Sequence, residues 1–208
     1  MAQPVLYFVV DPMCSWCWGF APVMEEAREK LKDYYEIRLV LGGLRTKGEM
    51  GWDNAAKRYL RTHWEQVAAR SGQPFEFRLL EKEYFEYDTY PACKAVVTVR
   101  ELQGEEAAFD YLHTIQHAFY VQGIDITNSR LLYGYYEQMF GNSGKFAFMY
   151  GTERIEILMH HDFAKARSMG ATAFPSVVLV DETGHMVCQK GYRSYTEIET
   201  LLKDRNNA

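Results

Sequence analysis

Six consecutive apolar residues, Val5–Val10, stop at Asp11-Pro12 and give way to Cys14-Ser15-Trp16-Cys17 and a helical pattern. A run with no polar face predicts a central strand buried on both sides. Two thiols at this spacing can close a disulfide across one helical turn. A cysteine at a helix N-terminus meets unpaired backbone N–H groups and the positive end of the helix dipole, and both favour the thiolate. Only the thiolate attacks a disulfide. One strand-to-helix junction thus supplies a nucleophile and a resolving thiol, which reads as a redox site.

The rest of the pattern supplies a frame for that junction. A helix is expected from about Cys17 to Lys32, with Pro22 kinking it. A second strand is expected at 37–41, ended by Gly42-Gly43. Residues 44–150 read as mostly helical, with candidates at 52–70, 90–102, 105–121 and 128–140, punctuated by glycines. Residues 74–88 give no clear pattern. A further helix is expected over 153–169, then a strand at 176–180. Asp181-Glu182-Thr183-Gly184 predicts a hairpin turn into a strand at 185–190, before a closing helix with Ile198, Leu201 and Leu202 inward. The order is β-α-β, a helical block, then α-β-β-α, an α/β fold with a parallel unit followed by a hairpin.

Composition narrows the function classes. The net charge is −5 and no basic block occurs, so nucleic acid is not an expected partner. No run of 18 apolar residues predicts a membrane span. Met1-Ala2-Gln3-Pro4 has neither the charged region nor the cleavage site of a leader, so the expected location is cytoplasmic. Only four cysteines occur, too few for a disulfide-stapled scaffold. A thiolate zinc site usually takes four ligands, and Cys93 and Cys188 stand apart, so no metal is expected. An inert structural disulfide is the remaining alternative for the pair.

Asp11 to Phe20, Pro22 and the segment Gly170-Ala171-Thr172-Ala173-Phe174-Pro175-Ser176 resemble the DsbA-like branch of the thioredoxin superfamily. Tyr90-Pro91-Ala92-Cys93-Lys94-Ala95 is similar to its cytoplasmic FrnE-like group of protein-disulfide isomerases. The resemblance implies a thioredoxin-like domain from 1–43 and 151–208, with an all-helical insertion domain over 44–150. It implies that Cys14 is the exposed nucleophile, that Cys17 resolves the mixed disulfide, and that Pro175 is cis and lies against the pair. The backbone of Phe174 would then pair with an extended substrate. DsbA has Pro-His between its cysteines, where this chain has Ser15-Trp16, so the prototype's strongly oxidising character does not carry over.

Other residues have two readings each. Asp11 reads as a strand-ending turn or cap, or as a carboxylate that accepts the Cys17 proton. Trp16 is expected at the surface and Trp18 in the core. Cys93 reads as a small buried hydrophobe rather than a second redox thiol, and Cys188 as structural. The aromatic stretches at 84–90 and 133–140 are expected to be mostly core. The leading function is a thiol–disulfide oxidoreductase or isomerase acting on protein or small-molecule disulfides, with no cofactor beyond its cysteines and with glutathione or a reductase as partner. The alternatives are a glutathione-dependent transferase or isomerase of the kappa-class or 2-hydroxychromene-2-carboxylate type, and a non-enzymatic redox-sensitive or chaperone-like module.

Overall fold

The computed structural model describes residues 3–46 and 50–206. Met1 and Ala2, part of the leader reading, and residues 47–49 of the expected insertion lie outside them. The elements are β1 (Val5–Val10), α1 (Ser15–Leu31), β2 (Glu36–Leu41), α2 (Asn54–Ser71), α3 (Tyr90–Gln103), α4 (Glu105–Tyr120), α5 (Ser129–Phe140), α6 (Ser143–Tyr150), α7 (Glu153–Ser168), β3 (Ser176–Val180), β4 (Met186–Lys190) and α8 (Tyr195–Asn206). This is a thioredoxin-like α/β fold carrying a large helical insertion. Among the described residues, no helix is long and apolar enough to cross a membrane.

The sheet order is β2-β1-β3-β4. The central place predicted for β1 follows from its lack of a polar face: it pairs in parallel with β2 and antiparallel with β3. The register sets the position of everything functional. Val10 lies opposite Leu41, and Val9 opposite Ser176. The C-terminal end of β1 therefore gathers three loops: Asp11–Cys14, the one after Leu41, and the one that delivers Pro175. Gly42 is needed in the second of these. A Cβ there would lie 2.1 Å from the Phe174 ring, so only glycine leaves that ring its place.

Helix α1 begins at Ser15, two residues earlier than expected. Cys14 N–H donates to the Asp11 carbonyl at 3.2 Å, and this turn starts the helix without a capping side chain. Pro22 lies inside α1, yet the helix runs on to Leu31. The proline ring removes the N–H that would bond the Trp18 carbonyl. Gln73 Nε2, from the loop after α2, donates to that carbonyl instead, at 3.2 Å. Gln73→Ala is expected to cost about 1 kcal/mol, the net worth of one such bond. Urea titration checks it, and an unchanged midpoint would show that water serves the carbonyl equally well.

Two sequence expectations need correction. Residues 141–150 contain α6, which was not anticipated; its apolar Phe146 is buried among Tyr111, Tyr133, Tyr136 and Tyr150. Tyr84 is 76% exposed rather than core. Residues 84–89 carry no helical hydrogen bonding, and their burial alternates: Tyr84 and Glu86 face out, while Phe85, Tyr87 and Thr89 face in. That two-residue period belongs to extended chain, which is why the segment gave no helical pattern.

Among the contacts that tie the insertion to the sheet and α7 is a largely buried ion pair. Arg100 of α3 makes two bonds to the carboxylate of Asp162 on α7, each 2.9 Å. The same carboxylate accepts from Leu41 N–H of β2 at 3.0 Å, and Arg100 also reaches the Leu39 carbonyl at 2.9 Å.

Candidate active site

Cys14 stands at the N-cap of α1 and is 7% exposed. Its Sγ lies 3.5 Å from the Phe174 carbonyl, to which the thiol donates. Cys17 lies one turn along and is wholly buried. The Asp11 backbone N–H points at Cys17 Sγ over 3.5 Å. Burial pushes the Cys17 thiol well above its ordinary range, and the adjacent Cys14 adds to this through a hydrogen bond and its charge. Cys14, expected to be exposed, is thus nearly buried; the two thiols still differ, because Cys17 has no exposed surface at all and burial holds its proton.

The Phe174–Pro175 peptide bond is cis. Ser15 and Trp16 are half-buried. Trp16, expected at the surface, leans instead on Tyr192 with ring centroids 5.9 Å apart. Arg70 of α2 lies over the same tyrosine ring at 4.9 Å. Trp18 is in the core, as its helical spacing implied. Its Nε1 donates to the Pro74 carbonyl at 3.0 Å, and its ring stacks on Tyr120.

Asp11 makes the turn that its first reading expected, and its carboxylate is buried in the site. Its carboxylate accepts from Met13 N–H at 2.9 Å, which makes the turn, and from Leu44 N–H at 2.7 Å. It is also wholly buried beside the thiols. Burial raises its pKa above the usual carboxylate value; hydrogen bonds from Leu44, Met13, Thr89 and Cys93 pull it partly back.

Two neighbours were missed from the sequence. Cys93 is buried as expected, but its thiol donates to Asp11 Oδ2 at 3.5 Å. Tyr87, also buried, donates its hydroxyl to the Met13 carbonyl and so fixes the loop that carries Cys14. The alternation of residues 84–89 was the available signal for Tyr87. Nothing in the sequence placed Cys93 against Asp11, because the contact joins residues on separate elements. Cys188 is half-buried on β4.

This burial order predicts an alkylation pattern. With reduced native protein and iodoacetamide, Cys14 and Cys188 should label first. Cys17 and Cys93 should react at least about 100-fold more slowly until denaturant is added, since both must wait for the structure to open. Peptide mass mapping reads this directly, and rapid native labelling of Cys93 would contradict its burial.

The fold and the thiol pair at the first turn of α1 define the class: a DsbA-like thioredoxin fold of the thiol–disulfide oxidoreductases. A family model described as Thioredoxin matches residues 7–200, and the chain belongs to that family. A crystal structure from Nitrosomonas europaea, provisionally described as a protein disulfide isomerase, is 30% identical, with 98% of this chain and 97% of that one covered and a TM-score of 0.87. The cytosolic disulfide reductase DsbM from Pseudomonas aeruginosa is 26% identical, with 89% of each chain covered and a TM-score of 0.74; it has also been solved with GSH. The ClpXP adapter protein SpxH of Bacillus subtilis is 27% identical over 132 residues. This chain spans less than half the length of that curated relative, 42% of it.

Proposed function

We propose that this protein reduces or reshuffles disulfides through Cys14 and Cys17, by way of a mixed disulfide. The observation that carries the reading is the inequality of the two thiols: Cys14 at the helix N-cap with 7% of its surface exposed, Cys17 one turn along with none. The Cys14 thiolate attacks one sulfur of a substrate disulfide. The S–S bond breaks, and the departing sulfur leaves as a thiolate that takes a proton from solvent. Cys17 then gives its proton to a base and attacks Cys14 Sγ. The second substrate sulfur departs, the enzyme holds a Cys14–Cys17 disulfide, and the substrate has gained two electrons. Two glutathione thiols would restore the dithiol and leave as glutathione disulfide. When substrate sulfur attacks first instead, the cycle closes as isomerisation with no net electron transfer.

Asp11 is the base this reading assigns to Cys17. It is the buried carboxylate at the site, its charge acts on Cys17, and its own backbone N–H is aimed at the sulfur that becomes a thiolate. The carbonyl of Phe174 offers an extended substrate a backbone acceptor beside Cys14. Glutathione as reductant and the cytoplasm as location belong to the same proposal; the Pseudomonas reductase is described as cytosolic and was solved with GSH. The test is insulin reduction coupled to glutathione, glutathione reductase and NADPH, run beside refolding of scrambled ribonuclease. Turnover in neither assay would overturn the reading. Activity on glutathione and an electrophile that survives Cys17→Ser would point to the transferase chemistry instead.

A protein-binding role has one specific support, the adapter name of the Bacillus subtilis relative. It differs in its prediction: partner binding would be indifferent to serine at Cys14 and Cys17.

A further inference from the structure

The Asp11 carboxylate is held on two sides. Backbone N–H groups of Met13 and Leu44 bond it from the loops at the end of β1 and β2. From the other side comes the first turn of α3, where Cys93 places its thiol 3.5 Å from Oδ2. Thr89, just before that helix, exchanges bonds with the strand-end loop: its N–H reaches the Arg45 carbonyl at 2.7 Å and its hydroxyl accepts from Arg45 N–H at 3.2 Å. Cys93 N–H in turn bonds the Thr89 carbonyl at 3.0 Å. The start of α3 is thereby fixed against the loop that carries Leu44, and the Cys93 sulfur faces Asp11 with Thr89 and the Gly43 backbone as its other polar neighbours.

We infer that Cys93 is a positioning residue for Asp11, and that its S–H donor sets how readily Asp11 takes the proton from Cys17. This deepens the proposed function and rests on its assignment of Asp11 as the base. Cys93 touches no reacting sulfur. It acts by donating to a carboxylate that is otherwise desolvated, and a donor favours the charged, proton-accepting form. Without it, the carboxylate stays protonated to higher pH. The other titratable groups around the carboxylate are Cys14 and Cys17 on α1, Tyr87 ahead of α3 and Tyr120 at the end of α4. Among the described residues a nearby cation is Arg45, whose guanidinium lies over the Tyr87 ring at 5.2 Å.

Ellman's reagent separates the two thiol steps. Cys14 attack releases the first thionitrobenzoate and leaves a mixed disulfide; Cys17 attack then releases the second and closes the Cys14–Cys17 bond. The rate of the second release is measured against pH for the wild type, Cys93→Ala, Cys93→Ser and Asp11→Asn, each checked by thermal melting. Cys93→Ala should move the acidic limb of this profile upward by about one pH unit and leave the first release unchanged. Cys93→Ser keeps a donor and should return the limb close to wild type. An unmoved limb in Cys93→Ala, with the limb lost in Asp11→Asn, overturns the role of Cys93 and leaves that of Asp11 standing. An unmoved limb in Asp11→Asn overturns the Asp11 assignment itself. Should Cys93→Ala fail to fold, the S–H stretching band of Cys93 in otherwise native protein decides, identified by its loss in Cys93→Ser. The band should shift in Asp11→Asn, and an unshifted band overturns the inference.

Discussion

Replacing Cys14 by serine should reduce insulin-disulfide turnover by at least about 1,000-fold, the scale on which removing a covalent nucleophile acts. A serine hydroxyl has no accessible anion near neutral pH, and no other thiol is placed to substitute. Cys17 and Cys93 are wholly buried, and burial holds both thiols protonated. Cys188 lies on β4, away from the start of α1. Cys17→Ser should behave differently. Cys14 can still attack, but nothing resolves the product, so a mixed disulfide accumulates and shows as an added substrate mass. Turnover that survives Cys14→Ser, or a Cys17→Ser protein that never traps substrate, would remove the dithiol mechanism.

Asp162→Ala should destabilise the fold by about 3–5 kcal/mol, the cost of stranding one partner of a buried ion pair. Asp162 is 5% exposed and receives three bonds, two from Arg100 and one from Leu41 N–H. Alanine removes the counter-charge of Arg100, which keeps only its bond to the Leu39 carbonyl, and leaves the Leu41 N–H without its acceptor. For a chain of this size the melting temperature should fall by roughly 10 °C. The Leu41 bond is one residue from Gly42, so the loss should also loosen the loop against which Phe174 packs. Calorimetry checks the first effect and insulin turnover below the melting range the second. A loss under 1 kcal/mol would show that solvent already screens the pair.

The sheet was legible because its signals are local. Val5–Val10 lacks a polar face, Asp181-Glu182-Thr183-Gly184 marks a turn, and the β-α-β order leaves few topologies. Cys14, Cys17 and the cis Pro175 were reached through a motif and a resemblance, and the structure brings all three to one end of β1. What the sequence hid is tertiary. Pro22 predicted a kink, while the bond that replaces its missing N–H comes from Gln73, far along the chain. Asp11 read mainly as a turn residue, and only packing revealed its burial and its contact with Cys93. Trp16 read as exposed because its partner, Tyr192, follows the whole insertion. In the aromatic stretch at 84–90, Phe85 and Tyr87 are core as expected, and Tyr84 departs because an extended chain divides its residues between two faces.

The strand register carries a consequence for how the molecule is made. Val9 at the start of the chain pairs with Ser176 near its end, and Cys14 meets the carbonyl of Phe174. During synthesis β1, Cys14 and Cys17 precede the segment that completes their surroundings by about 160 residues. Pairs so distant in sequence close late, since the entropy of the intervening loop must be overcome first. The nascent chain therefore carries both cysteines without their final shelter until that segment has been made. Its thiols are least protected over that interval, and a reducing environment matters most then.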